Sequence, residues 1–172
     1  AESLPHQAYA DAVLRELEGR SEDLRGRVLT SVFVGGGTPS LWNAHALGRV
    51  LAGIREAFDA EVEDLEVTAE CNPSSLTRAG AAQLREVGVD RLSIGVQSLR
   101  DRHLRFLGRL HDSSRAIAAL EEAVAEVPRV SADMMFGMPG QSSAELDEDV
   151  ARITEPVAVG IRLAGVRYHG AV

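Results

Sequence analysis

Val32-Phe33-Val34-Gly35-Gly36-Gly37-Thr38-Pro39-Ser40-Leu41 sets the reading of the whole chain. Ser31 to Val34 form a short β-branched and aromatic run that stops at three consecutive glycines. A run of this kind predicts a strand buried on both faces, as in a parallel sheet. Glycine has no Cβ, so a ligand can reach backbone N–H groups at the strand's carboxyl end. Thr38 adds a hydroxyl that donates and accepts, and Pro39 stiffens the exit from the turn. A glycine turn that only lets strand and helix pack closely would look the same, so both roles stay open from this stretch alone. It is not a P-loop, because no Gly-Lys-Ser/Thr follows and the chain contains no lysine.

On the amino-terminal side, Pro5–Glu18 carries Ala8, Ala12, Val13, Leu14 and Leu17 near helical period, with Gly19 placed to close the helix. A charged link, Arg20–Arg27, leads into a first strand over Val28–Val34. Beyond the glycines, Asn43 is set to cap a helix running to about Phe58, with Leu47, Val50, Leu51 and Ile54 on one face. Trp42, at the loop mouth, reads either as a lid or as core. Further on come a strand over Leu65–Glu70, a helix from Thr77 to Val87 closed by Gly88, and a strand over Arg91–Val96. A helical stretch over Leu99–Leu110 breaks at Gly108, and Asp112 or Ser113 starts a helix to about Glu126. A fourth strand spans Arg129–Phe136, and Ser142-Ser143-Ala144-Glu145, at capping-box spacing, opens a helix to about Thr154. Val157–Leu163 reads as a fifth strand.

Short apolar strands alternating with helices mean βα units and a parallel sheet, an α/β fold. The polar residues at successive strand ends are Gly36, Glu70, Gln97 and Asp133, in steps of 34, 27 and 36 residues. Each step is about one βα repeat, so in a barrel all four lie on the same carboxyl-terminal rim. Asp133 sits in an otherwise apolar run, where a carboxylate is costly unless it is paired or belongs to a site. Its structural alternative is an ion pair with Arg109 or Arg91. Glu70 could equally be a cap before Asn72-Pro73, and Gln97 a bridge between loops. Arg109, flanked by Leu107 and Leu110 that would hold its base in the core, could grip a carboxylate through two hydrogen bonds or form a surface ion pair. The residues alone thus point to a rim site for something carrying ribose or amino-acid groups.

Composition narrows the classes. The 172 residues fit one domain or a large piece of a bigger protein. A net charge of −8 argues against a nucleic-acid backbone binder. The single cysteine, Cys71, excludes an internal disulfide and any multi-cysteine metal site within the chain. His6, His45, His103, His111 and His169 show no ligand spacing and read as surface or loop positions, and no serine sits in a nucleophile elbow. No apolar run is long enough to span a bilayer, which makes a cytoplasmic protein the expectation. The chain begins at Ala1 almost directly in a helical pattern, as an internal cut would.

Taken together, five stretches resemble the radical S-adenosylmethionine proteins of the oxygen-independent coproporphyrinogen III oxidase family. They are Val34–Ser40, Ala69–Pro73, Arg91–Ser98, Leu107–His111 and Asp133–Gln141, in family order and spacing over about residues 4–154. The wording Glu-Cys-Asn-Pro, Gly-Val-Gln-Ser and Leu-Gly-Arg-Leu-His is most similar to the heme chaperone branch, whose members are thought to bind heme and hand it to membrane-bound respiratory enzymes. The resemblance implies a partial (βα) barrel holding S-adenosylmethionine and a [4Fe–4S] cluster, with reductive cleavage giving a 5′-deoxyadenosyl radical. It implies that Gly36, Gly37 and Thr38 offer backbone and hydroxyl contacts to S-adenosylmethionine, and that Glu70, Gln97, Arg109 and Asp133 hold its polar groups. In the oxidase branch some of these positions serve a second S-adenosylmethionine.

The family's Cys-x3-Cys-x2-Cys motif is not among these residues, and a thiolate cluster needs several cysteines. The expected picture is therefore one incomplete core domain over 1–172, lacking its first strand and any second domain. By itself it should be inactive, with no metal ligands and no catalytic residue of its own. A missing first strand would leave an unpaired edge that favours aggregation or a dimer. The oxidase branch is the alternative activity, with porphyrin in place of heme as partner. A non-catalytic barrel portion with at most a nucleoside pocket is the alternative of another class. A phosphate-binding barrel enzyme is disfavoured by the two rim carboxylates.

Overall fold

In the computed structural model, which describes residues 4–58, 65–155 and 159–165, five strands form one parallel sheet in the order β1-β2-β3-β4-β5. The strands are β1 (Ser31–Val34), β2 (Glu66–Cys71), β3 (Arg91–Gln97), β4 (Arg129–Phe136) and β5 (Gly160–Gly165). Helices α1 (His6–Gly19), α2 (Ser21–Leu24) and α3 (Ala44–Phe58) lie around β1, with a single 3-10 turn at Pro39–Leu41. Helices α4 (Arg78–Glu86), α5 (Asp101–Phe106), α6 (Ser113–Val124) and α7 (Ser143–Thr154) fill the later connections. The α/β partial barrel expected from the βα alternation is the fold observed.

Helix starts follow local chemistry. Asn43 Oδ1 accepts from the Ala46 N–H at 3.0 Å, Thr77 Oγ1 from Gly80 at 3.1 Å and Asp112 Oδ1 from Arg115 at 2.8 Å. Ser142 and Glu145 form the full capping box that opens α7. Each cap satisfies a donor the helix leaves free, worth about 1 kcal/mol. Gly88 and Gly108 take left-handed φ values of 100° and 65° and end α4 and the α5 turn as their positions predict.

One face of the sheet is the core. Val67, Ala69 and Cys71 of β2, Leu92, Ile94 and Val96 of β3, and Val130, Ala132 and Met134 of β4 are all buried on it. Leu47 and Leu51 of α3, Leu84 of α4, Leu120 of α6 and Ile153 of α7 cover it. The opposite, concave face is polar. Thr68 lies beside Arg91, Glu70 beside Ser93, Ser93 beside Ser131, and Asp133 beside Arg162 in the strand registers. At its amino-terminal end the face is tied by ion pairs from Arg129 to Glu66 at 2.7 Å and to Asp90 at 2.5 Å.

Several expectations are corrected. The Ser31–Val34 strand is not buried on both faces: Phe33 is 53% exposed, and the strand pairs only with β2 among the described residues. Only Val32 and Val34 point toward the helices and pack on the core. The strand is also shorter than Val28–Val34, and Val28 is 86% exposed. Gly19 does not turn the chain out of its helix; it is the last helical residue, and Arg20 carries the chain into α2 with φ −100°. The Leu99–Leu110 stretch is helical only over Asp101–Phe106. His103 and His111 are buried at 2% and 5% exposure, not on the surface, because each ring has a polar partner inside the fold. Residues 157–158 of the predicted fifth strand and His169 lie outside the described residues.

Candidate functional site

The carboxyl ends of β1 to β4 open into one shared cleft. Gly37, Thr38, Glu70, Gln97, Arg109 and Asp133 all line it. Gly36, the seventh predicted residue, borders the adjoining hollow toward Tyr9 and Trp42. Its N–H donates to Glu70 Oε2 at 3.3 Å, so the glycine loop and the β2 carboxylate are joined across the β1–β2 seam. Gly36 and Gly37 have φ values of 82° and 60°, which a side chain would strain.

Asp133 is paired neither with Arg109 nor with Arg91. Its two oxygens face the Ser93 hydroxyl at 2.9 and 2.8 Å, and Arg162 Nε lies 3.5 Å away. Arg162 also donates to Ser93 Oγ at 3.1 Å, and Ser131 donates to the same oxygen at 3.3 Å. Arg91 instead serves Glu66, Thr68 and Ser131 nearer the floor of the barrel. The Asp133 carboxylate is thus held in place from below and keeps its upper side toward the cleft.

Gln97 and Arg109 converge over Gly95. A Cβ built on Gly95 would stand 2.8 Å from Gln97 Nε2 and 3.3 Å from Arg109 Nη2. The missing methyl is the space those two side chains use. Gln97 itself has φ 68°, and among the described residues it is the non-glycine in the left-handed region. That conformation costs of order 1–3 kcal/mol and collects at functional sites. Leu107 is half-buried beside Arg109, whereas Leu110 is 93% exposed and anchors nothing. Trp42 is not a lid: its ring packs on the core, Nε1 donates to the His6 carbonyl at 3.2 Å, and Tyr9 meets it edge-on at 5.1 Å.

Sequence reasoning missed Ser93, Gly95, Arg162 and the buried Asp149. The first two carry a visible signal, since Arg91, Ser93, Gly95 and Gln97 alternate with Leu92, Ile94 and Val96 at period two. Arg162 and Asp149 carry none, because their partners lie in strands and loops tens of residues away.

Residues 6–153 match the family model described as the radical SAM superfamily. This chain belongs to that superfamily. It is 46% identical over 116 residues to "Radical S-adenosyl methionine domain-containing protein 1, mitochondrial" of Bos taurus, covering 67% of this chain and 26% of that protein. It is 34% identical over 153 residues to the heme chaperone HemW of Escherichia coli, covering 88% of this chain and 40% of the relative. Its fold is similar to that of coproporphyrinogen III oxidase (HemN) from Escherichia coli, a radical SAM enzyme, with a TM-score of 0.77, 26% identity, and coverage of 94% of this chain and 38% of that one. The radical SAM chain thus spans between about a quarter and two fifths of the length of these relatives.

Radical SAM proteins imply S-adenosylmethionine and a [4Fe–4S] cluster. The cleft fits the first. Two carboxylates suit an ammonium and a sulfonium, the Arg109 fork suits a carboxylate, and the Gln97 amide suits hydroxyls. It does not fit the second. Among the described residues no group of three or more His, Cys, Asp or Glu could hold a metal. Cys71 faces the core with its thiol pushed up to about 12, by burial first and then by the Glu70 charge. No helix among the described residues is long and apolar enough to cross a membrane.

Proposed function

We propose that this chain is the S-adenosylmethionine-binding part of a radical SAM protein, and that the whole protein is a heme chaperone rather than a coproporphyrinogen oxidase. The observation that carries the first half is the convergence of Glu70, Gln97, Arg109 and Asp133 on one cleft. Glu70 and Asp133 face the positive ammonium and sulfonium, Arg109 takes the methionine carboxylate, and Gln97 meets the ribose. Gly37 and the Thr38 hydroxyl flank the nucleoside end, and Gly36 beside them holds Glu70 through its N–H. The electron for reductive cleavage of S-adenosylmethionine would come from a cluster that the described residues of this chain do not hold; these residues bind S-adenosylmethionine, orient it and match its charges. The second half rests on the named relatives: heme chaperones are 30–39% identical over more than four fifths of this chain, against 26% for the oxidase structure. The reading makes heme the whole protein's partner and the cytoplasm its place, where a free thiol such as Cys71 stays reduced.

Titration calorimetry with S-adenosylmethionine tests the first half. The chain should bind, and Gly95→Ala should weaken binding roughly tenfold by displacing the Gln97 amide from its gap, with the melting temperature unchanged. Absence of heat at millimolar ligand would overturn it in favour of a barrel portion that keeps only the fold. The second half is decided on the whole protein: a chaperone binds heme unchanged, whereas an oxidase decarboxylates coproporphyrinogen III.

A further inference from the structure

Gln97 is out of register with the neighbouring strand β4. Ile94 pairs with Ala132 but Gln97 pairs with Met134, so β3 holds one residue more than β4 between those points. This is a β-bulge, a device that re-aims a side chain at the end of a strand. The bulge and the left-handed φ of 68° together turn Gln97 toward the cleft. Neither would persist without something that holds the chain on the far side.

That hold comes from α7. Asp149, 0% exposed, accepts through Oδ2 from the Ser98 hydroxyl at 3.0 Å and from the Leu99 N–H at 3.0 Å. Its other oxygen lies 3.1 Å from Arg100 Nε, which supplies the counter-charge. Since the one Ser98 hydroxyl proton goes to Asp149, the Ser98 oxygen accepts, from the Arg100 N–H at 3.1 Å and from His103 Nδ1 at 3.3 Å. His103 is thereby fixed with its proton on Nδ1, and its buried Nε2 meets no hydrogen-bond partner among the described residues. Every residue from Ser98 to Arg100 is tied, directly or through Ser98, to one carboxylate on a helix 50 residues further along the chain.

We propose that Asp149 is a positioning residue for the cleft. It acts through Ser98 and Leu99 to keep Gln97 left-handed, with its amide over Gly95 and against Arg109. The ligand's identity rests on the function proposed above; the positioning does not. None of the side chains of Asp149, Ser98, Arg100 and His103 lines the cleft, so the latch acts on a ligand through the residues that do, Gln97 first among them.

The test uses the full chain with Asp149→Ala, Asp149→Asn and Ser98→Ala. A left-handed residue gives a strong amide-to-Hα cross-peak within itself in nuclear Overhauser spectra, and Gln97 should show it in the wild type. Asp149→Ala should weaken that peak to the level of its strand neighbours and reduce S-adenosylmethionine affinity roughly tenfold. Asp149→Asn, which keeps the shape and one acceptor oxygen, should restore most of both. Ser98→Ala reads the same two quantities if Asp149→Ala does not fold. The proposal is overturned if Gln97 keeps its cross-peak in Asp149→Ala or Ser98→Ala, or if strands β2 and β4 lose their signals along with it. Should the wild type not bind S-adenosylmethionine, the functional reading fails while the Gln97 cross-peak still decides the latch.

Discussion

On β3 the side chains of Leu92, Ile94 and Val96 go one way and those of Arg91, Ser93 and Gln97 the other, with Gly95 leaving a gap among the latter. The same alternation separates Val67, Ala69 and Cys71 from Thr68 and Glu70 on β2, and Ala132 and Met134 from Ser131 and Asp133 on β4. The helix-covered face removes apolar surface from water and holds the fold together. The concave face buries little that is apolar and spends its hydrogen bonds on placing charges around a cleft. A residue's parity along the strand therefore predicts whether its loss is felt in stability or in binding.

The largest expected effect lies on the covered face. Ile94 is fully buried between β2, β4 and the helices, so Ile94→Ala should cost about 2–5 kcal/mol, transfer and cavity terms together. Glu70→Gln, on the opposite face of the neighbouring strand, should change stability by less than about 0.5 kcal/mol while weakening S-adenosylmethionine binding. Urea unfolding of the two variants gives both numbers. If Glu70→Gln destabilises as much as Ile94→Ala, the division between the faces is wrong.

That division was only half legible in the sequence. The parallel sheet, the helix caps and the shared rim could be read because they depend on local period, cap chemistry and the length of one βα unit. Asn43, Thr77, Asp112 and Ser142 cap where their spacing puts them. The assumption that a parallel strand is apolar on both sides hid the polar face, although Ser93 and Gly95 alternate openly with Leu92 and Ile94. Other features had no local signal at all. That Asp133 is served by Ser93 and Arg162, 40 and 29 positions away, is a fact of strand register. So is the hold of Asp149 on Ser98. His103 and His111 looked like loop residues because nothing near them in the chain announces the acceptors they meet.

These two histidines give a middle-sized effect, and they flank the boundary between the faces. His111 Nε2 donates to the Val96 carbonyl at 3.2 Å, and both rings are held neutral, with pKa values below the ordinary 6.5, by burial first. In the unfolded chain each takes up a proton near 6.5, whereas in the fold it does so only at lower pH. Between those values the unfolded state binds more protons, so stability falls as pH drops below about 6.5, by up to about 1.4 kcal/mol per pH unit for each histidine. Chemical denaturation at about pH 7.5 and about pH 5.5 measures the drop. His111→Gln should remove part of the slope, and a pH-independent midpoint would show that the rings are open to water and the β3 rim is looser than its contacts indicate.

The smallest effect is an expected silence. Cys71 ends β2 on the covered face, one residue beyond Glu70 on the other. Burial chiefly, and the Glu70 charge secondarily, push its thiol up to about 12, so at about pH 8 it stays protonated and out of reach. Native protein should not react with iodoacetamide over a period in which urea-unfolded protein labels fully. Glu70→Gln removes only the lesser cause and should leave the thiol equally silent, because one residue's distance along a strand is enough to put the two side chains on different sides of the sheet. Rapid labelling of the native wild type would mean that the carboxyl end of β2 opens locally, and then the rim that holds Glu70 in the cleft could not be the rigid support that binding requires.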